Sequence, residues 1–311
     1  MKMKKIALSV AALAISTGSA LAADLPSRKA APVLPPPPPP APMWTGFYVG
    51  LNAGGTWANS NQLAVGVLPI SSDRNFPFGA PGDADAYLQA YSLAASGVGS
   101  GGGNGGFIGG GQIGYNWQFF GNFVAGVEAD IQGVAGAGSS GARIVNTSTG
   151  LLRDPIIGVS SVRGNLDYLG TVRGRLGWLF TPTLLLYGTG GLAYGGVTLN
   201  STTAVYNDLF GNFGPAIGGV NYSNTQVGWT AGGGVEWMFM PNWSAKVEYL
   251  YYDLGSVTQG FALPLTNTAQ TTDPNALFGG QVRARFNGNI VRAGLNYHFN
   301  WGSPAPVLAK Y

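Results

Sequence analysis

The chain has 311 residues, with 16 lysines and arginines against 13 aspartates and glutamates, one histidine and no cysteine. The lack of cysteine excludes a disulfide framework, and a single histidine excludes a Cys/His zinc site. Lys2, Lys4 and Lys5 account for the whole excess of basic over acidic residues, which argues against a nucleic-acid partner. Charged residues make up only 9% of the chain and glycine contributes 51 residues, so the surface is poor in charge for a soluble protein.

The N-terminal 43 residues read as two segments that precede the folded part. Residues 1–22 combine a basic start, an apolar stretch and a small-residue cleavage site at 20–22, which predicts a signal peptide and export, with the mature chain starting at about Ala23. Residues 23–43 form a periplasmic leader whose proline run, Pro35–Pro40, favours an extended polyproline II spacer. A ligand for a proline-binding partner is the alternative interpretation of this run.

Eight later segments share one pattern, in which apolar and aromatic residues alternate with glycine or polar residues at a period of two. This pattern is typical of β-strands that have one apolar face. In the last segment, for example, Val291, Ala293 and Leu295 alternate with a set that includes Arg292. Both faces of the fifth segment are apolar, so its facing stays open. The predicted strands are Trp44–Trp57, Phe107–Phe119, Phe123–Gln132, Asn165–Phe180, Leu184–Val197, Thr225–Phe239, Trp243–Tyr252 and Ile290–Phe299.

The connections between these segments alternate between tight turns and long loops. This rhythm and the even strand number predict an all-β fold, an eight-stranded antiparallel transmembrane β-barrel over residues 44–301 with short periplasmic turns, long outer loops and a tail at 302–311. A soluble β-sandwich is the alternative, but it does not explain outward aromatic ends on seven strands. The tight turns are 120–122, 181–183 and 241–242, and the long loops are 58–105, 133–164, 198–224 and 253–288.

The sequence of these strands resembles the small β-barrel, porin-like family of outer-membrane proteins from Gram-negative bacteria. The motifs include WTGFYVGLNAGGTW (44–57), GTVRGRLGW (170–178) and IVRAGLNYHF (290–299), and the resemblance covers most of residues 44–301. It implies a place in the outer membrane and recognition of the last strand by the outer-membrane assembly machinery. Family barrels usually finish with an aromatic residue, whereas twelve residues follow Phe299 here, so how the end of this strand is recognised stays open.

Eight charged residues fall on the inward faces of the predicted strands. Four are acidic and four are basic, so we expect them to neutralise one another as an ion-paired lumen network with a structural role. A narrow gated water path through the same network is the alternative. The residues are Glu128, Asp130, Arg173, Arg175, Glu236, Lys246, Glu248 and Arg292.

Other chemistry is weakly indicated. His298 is the only histidine, and we expect a hydrogen-bonded lumen residue and not a catalytic base. Glu128 and Asp130 share a face, but they lack the further ligands that a hard cation prefers, so neither a metal nor another cofactor is expected. The aromatic strand ends are predicted to be membrane-interface anchors: Trp44, Trp117, Trp178, Trp237 and Trp243.

These observations favour a monomeric outer-membrane surface protein that contributes to envelope integrity and is not an enzyme. Its expected partners are outer-membrane lipids, lipopolysaccharide and the assembly machinery. A narrow porin-like channel for ions or small solutes is the first alternative. A surface receptor or adhesin that binds a host molecule or a small ligand such as haem through the outer loops is the second.

Overall fold

The computed structural model describes residues 44–59, 63–72, 83–99, 102–147, 155–206, 215–266 and 274–299. The predicted signal peptide (1–22), leader (23–43) and tail (302–311) lie outside the described residues. No helix in the described part of the chain has the length and apolar character needed to cross a membrane.

The described residues form one antiparallel sheet of eleven strands and one helix. In chain order the elements are β1 (Gly46–Ala58), β2 (Leu63–Ser72), α1 (Asp83–Ala95), β3 (Gly97–Gly99), β4 (Gly102–Phe119), β5 (Phe123–Ala135), β6 (Gly138–Thr147), β7 (Ile156–Thr181), β8 (Leu184–Tyr206), β9 (Ala216–Met240), β10 (Trp243–Thr266) and β11 (Pro274–Phe299).

The sheet closes on itself because its first and last strands pair. The ring runs β1, β4, β5, β7, β8, β9, β10, β11, and β11 returns to β1 in a register that joins Phe299 to Phe47. Following the paired residues once round the ring from Tyr48 leads back to Ala58, ten residues further along β1. A closed barrel of tilted strands requires such a stagger. The predicted all-β, antiparallel ring is confirmed.

The sheet has eleven strands and not the predicted eight, because β2, β3 and β6 pair with the ring strands without belonging to the ring. The four predicted long loops are wrong over much of their length. The segment 58–105 contains β2, α1 and β3, and the segment 133–164 contains β6 and the start of β7. The segments 198–224 and 253–288 are occupied largely by the extended ends of β8, β9, β10 and β11.

The reason for this error is that the apolar face changes from the outside to the inside of the ring along the strands. On β7, Leu176 points outwards and Arg173 inwards near one end, whereas Val162 and Leu166 are buried and Arg163 is exposed near the other. A strand that leaves a membrane faces water on its outside and must bury its apolar residues inside. An apolar outer face therefore marks only the membrane part of each strand.

We call the end of the barrel with the tight turns at 120–122, 182–183 and 241–242 the turn end, and the opposite end the hairpin end. At the hairpin end, inward apolar residues and α1 form the larger core of the barrel. Tyr91 of α1 stacks on Phe278 with ring centroids 4.7 Å apart, and its burial raises the pKa of the hydroxyl. The carbonyl oxygen of Ala94 lies so close to Gly158 that a β-carbon at position 158 would collide with it. Helix α1 therefore fills the inside of this end.

The structure also fixes the facing of β8, which the sequence left open. Leu185 and Tyr187 are buried inside the ring, while Leu186 and Leu192 are 56% and 48% exposed on its outside.

Candidate functional site

Large apolar side chains cover the outside of the ring strands between two aromatic sets. Leu51, Val127 and Leu176 in this band are 72%, 61% and 61% exposed. Phe47 and Trp57 mark its edges on β1, ten residues apart, which corresponds to about 33 Å along a strand and about 25 Å across a barrel tilted by about 40°. This height matches the apolar band of outer-membrane barrels. Exposed aromatic residues include Phe47, Trp117, Trp178, Trp237 and Trp243 at the turn end, and Trp57, Phe107, Trp229 and Tyr249 towards the hairpin end.

Trp44 is an exception, and its prediction as an interface anchor is wrong. Its side chain is fully buried at the turn end, where Nε1 donates a hydrogen bond to the carbonyl oxygen of Pro182 at 3.0 Å. The residue lies just before β1, so strand alternation does not govern where its side chain points.

All eight charged residues expected in the lumen lie inside the ring and none is more than 5% exposed. The register places three acid–base pairs directly opposite one another on neighbouring strands, an arrangement that stabilises a sheet. These pairs are Glu128–Arg173 on β5 and β7, Glu236–Lys246 on β9 and β10, and Glu248–Arg292 on β10 and β11.

Arg173 is the centre of the network. Its Nη2 lies 2.5 Å from Oε1 of Glu128 and 2.8 Å from Oδ2 of Asp130, and its Nη1 lies 3.0 Å from Oε1 of Glu248. Arg292 closes a second bridge, because its Nη2 lies 2.9 Å from Asp130 and 2.6 Å from Glu248. Two arginines and three carboxylates are thereby joined across four strands of the ring.

Glu128 connects this cluster to the remaining charges. Nζ of Lys246 lies 2.8 Å from its Oε1, and Nη1 of Arg175 lies 3.6 Å from its Oε2. Nη2 of Arg175 also pairs with Oε2 of Glu236 at 2.5 Å. All eight residues thus belong to one continuous network.

Neutral side chains that the sequence analysis did not single out complete the network. The Tyr48 hydroxyl donates to Glu128 at 2.7 Å and the Tyr187 hydroxyl donates to Glu248 at 3.0 Å, while the guanidinium of Arg175 lies 4.2 Å from the centre of the Tyr187 ring. Alternation with Phe47 could have identified Tyr48 as a lumen residue, but nothing in the apolar β8 distinguished Tyr187. Further donors to the carboxylates are Thr171, Gln132, Ser244 and Asn296.

Glycines on the inner wall make room for these long side chains. A β-carbon on Gly114 would collide with the ring and hydroxyl of Tyr48. A β-carbon on Gly294 would lie 3.1 Å from Cγ of Lys246, closer than ordinary contacts. The glycine content of the chain therefore has a packing role in the lumen, where each large side chain needs a small neighbour.

The family comparison agrees with this architecture. Residues 9–299 match the model of the outer membrane protein beta-barrel domain. The chain belongs to this family. It is similar to the 31 kDa outer-membrane immunogenic proteins of Brucella melitensis and Brucella suis, with 32% identity over 96% of this chain and 100% of each relative. It is also similar to a 22 kDa outer membrane protein of Rhizobium leguminosarum, with 34% identity over 49% of this chain and 60% of that protein.

Among solved structures, the outer membrane protein OprG of Pseudomonas aeruginosa aligns with 82% of this chain and 97% of its own chain at 10% identity and a TM-score of 0.34. The family and the curated relatives establish that this chain is an outer-membrane β-barrel protein, and its outer-membrane location is thereby confirmed.

The geometry around His298 in this outer-membrane barrel is not that of a catalytic relay. Nε2 of His298 lies 2.8 Å from Oγ of Ser244 and 3.4 Å from Oε1 of Glu236, and Ser244 itself donates to Glu236 at 2.5 Å. A serine nucleophile needs to donate to the imidazole while the carboxylate holds the other ring nitrogen. Here the serine and the carboxylate both lie at the same ring nitrogen, Nε2, so the geometry of a catalytic triad is not formed.

The carboxylates of the network are likewise fully engaged. The oxygens of Glu128 and Asp130 accept hydrogen bonds from arginine, lysine and uncharged donors. Across the described residues, no group of three or more His, Cys, Asp or Glu side chains is arranged to hold a metal ion. The arrangement can fill and stabilise the lumen.

Proposed function

We propose that this outer-membrane protein is a closed, eight-stranded transmembrane barrel that stabilises the envelope and presents its long hairpins to the outside, with its turn end in the periplasm. No catalytic role is proposed. The observation that carries the proposal is the single network of eight buried, mutually paired lumen charges. Buried charges are costly to separate, so an ion that crossed the lumen would have to break several pairs at once.

The dimensions of the ring support the same function. Eight strands with a stagger of ten residues correspond to a strand tilt of about 40° and a backbone radius of about 8 Å. The interior of such a barrel is filled by its own side chains. A wide solute pore would need many more strands.

Conductance measurements test this proposal. We expect purified protein to give no steady conductance in planar bilayers. Steady conductance that changes with Arg173→Gln or Glu248→Gln would overturn the closed lumen. Arg285→Gln is the matched control, because Arg285 lies on the outside of β11 with its side chain 54% exposed. Fold is monitored separately by gel mobility, since a closed barrel migrates differently before and after boiling.

A narrow channel is the second candidate, and the unpaired polar atoms of the lumen favour it. Several buried polar atoms lack a hydrogen-bond partner within the described structure. They include Nε of Arg175, Nη1 of Arg292, and both Oδ1 and Nδ2 of Asn116. Internal water is the usual partner of such atoms. A chain of these waters would give a narrow hydrated path, and the conductance measurement above distinguishes the two functions.

A receptor function acting through the hairpin end is the third candidate. A groove of about 820 Å³ opens between β2, β10 and β11, lined by Leu68, Ile70, Phe261 and several glycines. Its size lies in the range of small-molecule sites. Loss of ligand binding in a folded Ile70→Asp variant would support this function, and unchanged binding would exclude this groove.

The proposed lipid partner is lipopolysaccharide, and the proposed state is a monomer. Arg283 and Arg285 lie on the outer face of β11, nearer the hairpin end than Asn289. Asn289 pairs with the aromatic residues Trp57 and Tyr251 on the two neighbouring strands. In a barrel that spans the outer membrane, guanidinium groups at this height would be able to bind phosphorylated lipid headgroups. Replacing both by glutamine should weaken binding to lipopolysaccharide vesicles and leave binding to neutral phospholipid vesicles unchanged.

A further inference from the structure

The turn end of the barrel is crossed by the residues that immediately precede β1. Trp44 lies outside the strand, yet its side chain is fully buried and its Nε1 donates to the carbonyl oxygen of Pro182, in the turn between β7 and β8. In the ring order these strands lie about half-way round from β1. The indole therefore reaches from one wall of the barrel to the opposite one.

The polar contacts of this segment hold it in place on the near wall. The backbone nitrogen of Trp44 donates to Oε1 of Gln118 at 3.3 Å, and the backbone nitrogen of Gln118 donates to Oγ1 of Thr45 at 3.0 Å. Nε2 of Gln118 in turn donates to the carbonyl oxygen of Gly121 at 2.6 Å. The segment is thereby tied to the end of β4 and to the next turn.

Gly46 provides the change of direction that this path needs. Its φ angle is +142°, a conformation that favours glycine, and a β-carbon would lie 2.8 Å from the carbonyl oxygen of Phe299. The chain can therefore leave β1 and turn inwards at this residue.

The indole packs in an apolar layer of its own, separate from the core at the hairpin end. This layer contains inward residues of four other strands, and the ring of His298 lies edge-on to the indole at 5.8 Å. His298 contacts Glu236 of the charged network. The indole thus lies between the network and the open turn end. The other members of the layer are Val124, Leu179, Leu185, Tyr187 and Met238.

We propose that Trp44, Thr45 and Gly46 form a strap that closes the turn end of the lumen, and that release of Trp44 is the step that admits solvent to the ion-paired network. An indole is large enough to fill much of the cross-section left inside an eight-stranded ring. This inference concerns access to the lumen, and it holds whether or not the lumen conducts.

The chain has no cysteine, so single introduced thiols report solvent access without background. Val124→Cys places a thiol of similar size in the layer beside Trp44, and Thr181→Cys places one at an exposed site of the same end. Both are labelled in detergent micelles with a small cationic thiosulfonate reagent. We expect the thiol at position 124 to react at least about 100-fold more slowly than that at 181, since burial protects a group until the structure opens locally.

Adding Trp44→Ala should accelerate labelling at position 124 at least about tenfold, because the barrier to local opening falls. Trp117→Ala is the matched control, since it removes an exposed tryptophan from the outside of the same end. It should leave the labelling rate at position 124 unchanged. Folding of each variant is checked by gel mobility before and after boiling. If Trp44→Ala does not fold, Thr45→Ala combined with Gln118→Ala loosens the strap while keeping the indole, and the same acceleration is expected. Fast labelling with Trp44 in place, or no acceleration in a folded variant, would overturn the proposal.

Discussion

Glu128 on β5 and Lys246 on β10 meet inside the barrel with Nζ 2.8 Å from Oε1, although 118 residues separate them in the chain and four steps separate their strands in the ring. Their contact joins opposite walls of the lumen directly. The pair is buried on both sides, so its charges have exchanged hydration for each other and for their neighbours.

Removal of the ammonium group should therefore destabilise the whole barrel. We expect Lys246→Met, which keeps the length of the side chain, to lower the free energy of unfolding by about 3 kcal/mol, because Glu128 loses a buried partner. Urea unfolding in detergent measures this. Arg285→Met removes an arginine whose side chain is 54% exposed, although its partner Asp253 is buried. Water can reach the site of the missing guanidinium, so the cost should be about 1 kcal/mol or less. Equal losses in the two variants would show that the lumen pair has no special weight.

The hydroxyl of Tyr187 provides a finer test of the same network. Tyr187→Phe keeps the ring beside Arg175 and removes only the hydrogen bond to Glu248, so we expect a loss of about 2 kcal/mol. Tyr115→Phe is the control, since Tyr115 is 38% exposed on the outside of β4. A loss at position 115 as large as that at 187 would contradict a specific role for the buried hydroxyl.

The sequence allowed the inner and outer faces of the membrane part to be predicted, because lipid on one side and a charged lumen on the other impose a strict period of two. That rule placed Arg173, Glu248 and Arg292 inside. It could not predict which charges meet across the lumen, as Glu128 and Lys246 do. That contact depends on the registers of the four strand pairings between β5 and β10, and no local sequence pattern predicts all four registers.

The strand pattern could not be predicted where the surroundings of the chain change. Beyond the lipid, the outer face of a strand meets water, so β6 and the extended ends of the other strands lack the apolar outer face that marks the membrane part. The helix α1 was missed because it is buried on most of its surface and has no clear amphipathic period, although its one exposed stripe, Asp85, Gln89 and Leu93, follows helical spacing. Trp44 was misplaced because an aromatic residue beside a strand end resembles an interface anchor until Gly46 is known to turn the chain inwards.

The packing role of the lumen glycines leads to a prediction with a control on the same strand. Gly114→Ala places a methyl group against the Tyr48 side chain, so we expect a loss of about 1–3 kcal/mol from overpacking. Gly111→Ala points to the outside, where the nearest atom to the new carbon lies 3.9 Å away, and should leave the urea midpoint nearly unchanged. The reverse order of stabilities would mean that the two faces of β4 are assigned wrongly.

The helix that fills the hairpin end should stabilise that end more than the membrane part. Tyr91 is fully buried and stacks on Phe278, whereas Leu93 is 64% exposed on the same helix. We expect Tyr91→Ala to leave a cavity that costs about 3 kcal/mol or more, and Leu93→Ala to cost well under 1 kcal/mol. The strand pairing at the turn end does not involve α1. The loss of stability in Tyr91→Ala should therefore appear as faster protease cleavage of the hairpin end in reconstituted protein. The boiled and unboiled forms of this variant should still separate on a gel. Equal cleavage of the two variants would show that the helix is not a stabilising part of the barrel.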